Sequence, residues 1–191
     1  ACIVTDANLH RLGFSQRIRN CLPDGMESAV YHAVLPDPSL EAVQLGAAYL
    51  QEYQPDWIIA VGGGSVLDAA KGMWVLYERP DVDPAGINPV EYYGLRSKAR
   101  FAAIPTTTGT GSEVTYAVVL TDTVERRKLA LGTREAVADM AILDPQLVMD
   151  LPPNLTAETG LDALTHAIEG YTSTFHNDFS DGLCLMAARL I

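Results

Sequence analysis

The sequence predicts an α/β fold: a mostly parallel sheet domain followed by the start of an all-helical domain. Three observations carry that expectation. Short apolar, β-branched runs alternate with helical patterns through most of the chain, as βαβ units around a parallel sheet require. A buried-strand run, Trp57-Ile58-Ile59-Ala60-Val61, enters Gly62-Gly63-Gly64-Ser65 and then a helix. Beyond Leu151-Pro152-Pro153-Asn154 only helical patterns follow, so the expected boundary lies between an α/β domain of residues 1–152 and a helical domain of residues 153–191.

The elements follow in order. Residues 2–5 are short, apolar and β-branched, and Asp6 ends them. Apolar residues recur at helical spacing from about Leu9 to Leu22, with Gly13 as an interruption. A second strand is expected over residues 29–34, stopped by Pro36-Asp37-Pro38. Ser39 then caps a helix to Tyr53, with Leu40, Val43, Ala47 and Leu50 on one stripe. After the glycine loop a helix reaches about Tyr77, and the aperiodic, proline-bearing residues 79–99 read as a surface excursion. A strand over 101–104 leads into a small-residue loop over 105–112. Residues 116–121 and 128–131 predict a hairpin turning at 122–127, and 141–143 a last short strand. From Thr156, read as a cap, two helices follow, and the second domain reads as incomplete.

Composition narrows the function. The 191 residues are 48% hydrophobic and 19% charged, which fits a globular protein and excludes disordered or fibrous classes. A formal net charge of −11 repels phosphate backbones and anionic lipid, so nucleic acid is not an expected partner. Cys2, Cys21 and Cys184 are odd in number and unpaired by spacing, which points to a reducing cytoplasm rather than a disulfide framework. No apolar run approaches the ~20 residues of a membrane span.

Chemistry concentrates in two loops and one helix. Three glycines between a buried strand and a helix allow backbone to approach a ligand, and the helix start offers N–H donors to a phosphate. A plain tight turn is the alternative. The pattern is neither G-x-G-x-x-G nor a P-loop, and Ser65 with Asp68 resembles a capping box. Lys71 reads as a solvated helical lysine. The second loop, Pro105 to Glu113, is rich in hydroxyls and backbone donors and also follows a strand, where open α/β sheets bind ligands. Asp6 is placed either to accept from ribose hydroxyls or to cap the next helix. Asp37, between prolines, is a turn residue or a contact.

In the helical segment Asp162 and His166 stand at i, i+4, about 140° away from the stripe of Leu161, Leu164 and Ile168. A carboxylate and an imidazole at that spacing either share a divalent cation or form an ordinary hydrogen bond.

Taken together, Val4-Thr5-Asp6, the run from Gly62 to Lys71, the run from Ile104 to Thr115, and Thr159-Gly160-Leu161-Asp162-Ala163-Leu164-Thr165-His166-Ala167-Ile168-Glu169 resemble the iron-containing alcohol dehydrogenase family in order and spacing. The resemblance implies a Rossmann-like dinucleotide-binding domain and a helical domain holding a catalytic divalent metal. It implies that Gly63, Gly64 and Ser65 contact the pyrophosphate of NAD, with Asp68 in the same run. Thr106, Thr107, Thr115, Lys128 and Leu147 line the rest of the cofactor site, and Asp37 joins them. Asp6 lies beside the adenosine ribose and favours NAD over NADP. Asp162 and His166 match the first two of four metal ligands, one aspartate and three histidines. Iron is the expected metal, with zinc or manganese as alternatives.

The implied reaction is NAD-linked interconversion of a small primary alcohol and its aldehyde, in an enzyme compatible with a homo-oligomer. Other readings are a nucleotide-binding fragment or assembly subunit without catalysis, a polyol dehydrogenase, and a dehydroquinate-synthase-like lyase. The sequence also reads as truncated at both ends relative to the family, which makes turnover by this polypeptide alone an open expectation.

Overall fold

The apolar runs become strands β1 (Cys2–Asp6), β2 (Ala29–Val34), β3 (Trp57–Gly62), β4 (Arg100–Pro105), β5 (Ala117–Asp122), β6 (Arg127–Gly132) and β7 (Met140–Ala141) in the computed structural model, which describes residues 1–191. The helices are α1 (Ala7–Arg11), α2 (Phe14–Cys21), α3 (Leu40–Tyr53), α4 (Gly64–Glu78), α5 (Pro153–Thr172) and α6 (Asp178–Leu190). Contacts divide the chain into two units. One comprises Ala1–Pro105 and Ser112–Leu143, the other Thr106–Gly111 and Asp144–Ile191.

In the first unit five strands pair in the order β2-β1-β3-β4-β7, every pair parallel. The chain steps from β1 to one neighbour, β2, and returns to β3 on the other side, so strand order reverses between β1 and β3. That is where ligands enter an open α/β sheet, at the carboxyl ends of the strands. Thr5 Oγ1 donates to Val61 O across this junction at 2.8 Å. The hairpin β5-β6 is a separate antiparallel pair, as its alternating sequence predicts. It joins the turn after β2 through Thr121 N, which donates to Pro38 O at 2.9 Å.

The centre of this unit is α4. Its sequence is apolar nearly all round, so it has no solvated face and is packed from several sides. Residues 69–78 are all buried, among them Met73, Trp74 and Lys71. Trp74 stacks on Phe101 of β4 at 5.2 Å and donates from Nε1 to Ala99 O at 3.2 Å. The expected solvated Lys71 is therefore corrected: a helix buried on every side carries its lysine inside with it.

The interruption expected at Gly13 is present: at φ +87° it divides the pattern into α1 and α2. Three other expectations change. The last strand falls at 140–141 rather than 141–143. Thr156 lies inside α5, which starts at Pro153 with Pro152 as its cap position, and proline suits a first turn that needs no N–H bond. Residues 79–99 do not merely skirt the surface, since Ile87, Tyr93, Leu95 and Ala99 belong to the core. In the last part of that segment, residues 93–99, two carboxylates rather than a ladder satisfy the backbone. Glu78 accepts from the N–H groups of Arg96, Lys98 and Ala99 and from Ser97 Oγ. Glu135 accepts from the N–H groups of Tyr93, Gly94 and Leu95.

In the second unit α5 and α6 pack on each other, with Gly170 against Cys184 Sγ. Two helices cover only one side of each other. Ala167 is the one buried residue of α5, while Leu161 and Ile168 of the expected stripe stay exposed. α6 opens with a capping box from Asn177 and Ser180 and has no buried residue.

Burial works to raise the Glu78 carboxyl, but the N–H and hydroxyl donors outweigh it and hold the group below the ordinary carboxylate value. A depressed carboxylate contributes stability that is complete above its unfolded pKa and disappears as pH falls through the folded one. Glu78→Gln is expected to lower the urea midpoint at neutral pH and to flatten the loss of stability between about pH 5 and pH 3, as read by urea titrations across that range.

Candidate active site

The glycine loop sits where strand order reverses. Gly62 closes β3, Gly63 is the cap position of α4 at φ −73° and ψ −178°, and Gly64 opens the helix. The turn uses no left-handed residue, so these glycines supply space rather than unusual φ. Gly62 shows the need directly: a Cβ there would lie 2.5 Å from Val66 Cβ. No side chain caps α4; Val66 N donates to Gly63 O at 2.9 Å, and the N–H groups of Gly64 and Ser65 are left as donors for an anion. Ser65 and Asp68 therefore do not form the expected capping box. Gly63, Gly64 and Ser65 are half-buried at the mouth of the junction.

Asp6 ends the neighbouring strand β1. Its Oδ1 accepts from Asn8 N at 2.8 Å and Leu9 N at 2.9 Å, capping α1. Both cap bonds end on one oxygen, so capping and a ribose contact through Oδ2 are compatible. Asp37 takes a left-handed conformation, φ +51°, at the turn after β2. Its Oδ1 accepts from Lys128 Nζ of β6 at 2.7 Å in a solvent-exposed pair. Sequence reasoning singled out both residues without joining them.

Asp68 and Lys71 face the connection from β4 to β5. Asp68 accepts from Ser112 Oγ at 2.5 Å and from Val119 N at 3.0 Å. Lys71 Nζ donates to Ser112 Oγ at 3.0 Å, Thr115 O at 2.9 Å and Ala117 O at 3.0 Å. Burial raises the Asp68 carboxyl, opposed by the Ser112 and Val119 donors and by Lys71. Burial also pushes the Lys71 ammonium down to about 8, opposed by Asp68 and Glu113. A lysine in an apolar helix was the available signal, and its expected solvation hid it.

The second unit holds the other site residues. Thr106 is buried and Thr107 half-buried at the start of the threonine loop. Gly109, at φ +103°, lies against α5, where a Cβ would collide with Thr159 O. Thr108 and Thr159 share a hydroxyl hydrogen bond at 3.0 Å. Leu147 ends a short turn of helix over Pro145–Leu147. On α5, Asp162 Oδ1 and His166 Nε2 converge to 3.7 Å, both about half exposed. Their carboxylate oxygen and imidazole nitrogen suit a first-row divalent cation. No group of three or more His, Cys, Asp and Glu side chains assembles in the structure. His166 also lines a recess of about 490 Å³ with Gly109, Ala163, Ala167 and Cys184.

The glycine loop thus lies at the switch point of the sheet, where open α/β sheets bind ligands. Comparison with known proteins gives the family. The model of the iron-containing alcohol dehydrogenases matches residues 1–145, and that of the C-terminal part of the Fe-containing alcohol dehydrogenase family matches residues 156–191. The chain belongs to the iron-containing alcohol dehydrogenase family. It is 43% identical over 191 residues to the NADPH-dependent butanol dehydrogenase of Clostridium saccharobutylicum, covering 99% of this chain and 49% of that protein. It is 42% identical over 202 residues to the bifunctional aldehyde-alcohol dehydrogenase of Escherichia coli K12, covering 100% of this chain and 23% of that one. Among solved structures, 1,3-propanediol oxidoreductase matches with a TM-score of 0.90 at 34% identity, over 99% of this chain and 49% of its own. The sulfoacetaldehyde reductase of Bifidobacterium kashiwanohense, solved in complex with NAD+, matches at 0.88 and 32% identity, over 99% and 50%. The chain thus spans half or less of the length of these relatives. No helix is long and apolar enough to cross a membrane.

Gly62→Ala is expected to destabilise the first unit by about 1–3 kcal/mol through overpacking on Val66. Because the clash includes Val66 Cβ, which alanine would keep, Gly62→Ala combined with Val66→Gly should cost less than the sum of the single changes, by about 0.5–3 kcal/mol in a double-mutant cycle followed by urea denaturation.

Proposed function

We propose that this chain carries the dinucleotide site and half of the metal site of an NAD-dependent dehydrogenase acting on a small primary alcohol or its aldehyde. The observation that carries the reading is the position of Asp6 and the glycine loop, at the ends of adjacent parallel strands where strand order reverses. Bound NAD supplies the hydride acceptor and a bound divalent cation, iron first with zinc or manganese as alternatives, supplies a Lewis acid for the substrate oxygen.

The chain's own residues bind and orient. N–H groups at Gly64 and Ser65 take the pyrophosphate, helped by the positive end of α4. Asp6 accepts from the adenosine ribose hydroxyls, and its charge repels a 2′-phosphate. That carboxylate supports NAD here even though the relative from Clostridium saccharobutylicum is named for NADPH. Thr106, Thr107, Thr115, Lys128 and Leu147 contribute the remaining contacts, with the Asp37–Lys128 pair fixing the hairpin end. Asp162 and His166 hold the cation through one oxygen and one nitrogen. The unpaired cysteines, one of them the buried Cys2, support a reducing cytoplasm. A homo-oligomer is compatible with this reading.

A catalysis-free nucleotide-binding subunit is the second reading; it rests on the glycine loop and the uncapped start of α4 alone. Titration with NADH, followed by an assay of butanol oxidation with added ferrous iron, separates the two. Absence of NADH binding sinks both.

Asp6→Gly is expected to weaken NADH binding and strengthen NADPH binding, moving their ratio by about tenfold or more, roughly 1.4 kcal/mol. Fluorescence titrations with the two nucleotides measure it, and an unchanged ratio contradicts the ribose assignment. In the intact enzyme, His166→Ala is expected to abolish retention of iron or zinc, read by metal analysis after desalting, while NADH affinity stays within about twofold. Full metal content in that variant refutes the ligand assignment.

A further inference from the structure

Lys71 is a buried cation that the proposed chemistry does not use. Its side chain has no exposed area, and its three N–H groups end on Ser112 Oγ, Thr115 O and Ala117 O. One turn earlier on α4, Asp68 takes Ser112 Oγ on one oxygen and Val119 N on the other, and Lys71 Nζ lies 3.9 Å from the first of these. Two side chains of one helix thus grip four successive points, Ser112, Thr115, Ala117 and Val119, of the segment that returns from the threonine loop.

Stability alone does not account for this arrangement. A buried ion pair gains little over apolar side chains of the same volume, because desolvation offsets the attraction. An apolar residue at position 71 would match the rest of α4. What the pair adds is a fixed backbone at residues 112–119, and this segment includes Thr115, whose carbonyl Lys71 holds directly. A direct electrostatic role for Lys71 at the pyrophosphate is weaker. Six residues of helix separate it from Ser65, about 9 Å along the axis, and Asp68 lies between with the opposite charge.

We propose that Lys71, together with Asp68, is a positioning residue for dinucleotide binding: the pair locks residues 112–119 onto the helix whose first turn takes the pyrophosphate, presenting Thr115 and the glycine loop as one rigid receptor. This rests on the dinucleotide reading above. The three acceptors around Nζ need three donors, which only the ammonium form supplies. Asp68 on α4 and Glu113 in the held segment are the charged groups acting on it, and burial sets its titration near pH 8. Loss of that proton leaves two N–H groups for three acceptors, so the grip loosens in mild alkali and nucleotide affinity falls with it.

The test is NADH titration by fluorescence from about pH 6.5 to pH 9.5 on the wild-type protein, Lys71→Met and Ser112→Ala, with urea midpoints recorded alongside. Wild-type affinity is expected to decline as pH rises through about 8. Lys71→Met should bind about tenfold more weakly at pH 7 and lose that pH dependence, and its urea midpoint should fall, because Asp68 and the Thr115 and Ala117 carbonyls lose their donor. Ser112→Ala should weaken binding less. A folded Lys71→Met variant with wild-type affinity overturns the proposal. If that variant does not fold, a flat wild-type pH profile, or a Ser112→Ala variant indistinguishable from wild type, overturns it. Wild-type protein that binds no NADH at all overturns the dinucleotide reading itself, a result distinct from binding that ignores Lys71.

Discussion

The structure of the first unit depends on the burial of α4. A helix that is apolar on nearly every side can be stable only if it is covered on nearly every side, and the sheet, α3 and the hairpin supply that cover. Its start is then fixed at the carboxyl end of β3, and of its polar residues Lys71 is carried inside with no access to water and Asp68 is largely covered. Each must find partners within the protein. They find them in the connection from β4 to β5, so the demand for satisfied buried donors and acceptors determines where that connection runs.

The same rule explains the irregular stretch over 79–99. Its backbone N–H groups have no neighbouring strand, yet several of its apolar side chains are in the core. Glu78, at the end of α4, and Glu135, in the turn after β6, each satisfy three of those N–H groups. Arg96 closes the set, bonding the carbonyls of Glu135 and Val137 and the carboxylate of Asp139 while its guanidinium lies 5.0 Å over the Trp74 ring. Over residues 93–99 carboxylates do the work that a sheet ladder does elsewhere.

The residues singled out from the sequence divide by unit. Asp6, Asp37, the glycine loop, Thr115 and Lys128 belong to the sheet unit, and Thr106, Thr107, Leu147, Asp162 and His166 to the helical one. In the helical unit Gly109 matters because its backbone rests on the carbonyl of Thr159, an approach that any side chain would block. The threonine loop is in this way anchored to α5 one turn before Asp162. The convergence of Asp162 and His166 needs nothing beyond helix geometry, since residues four apart lie on one face.

Local pattern was enough to read most of the elements. The bounds of β2 and α3, the hairpin and the strand-glycine-helix unit all follow from periodicity, caps and turn residues, which act over a few positions. So does the pairing of Asp162 with His166. What no local pattern contains is which strands become neighbours, because pairs such as Thr5 with Val61 or Asp37 with Lys128 join residues 56 and 91 positions apart. Strand order, and with it the adjacency of Asp6 to the glycine loop, was decided by the tertiary structure. So was the fate of Lys71: spacing on a helix says which way a side chain points, but only the packed neighbours decide whether water or protein is there to meet it.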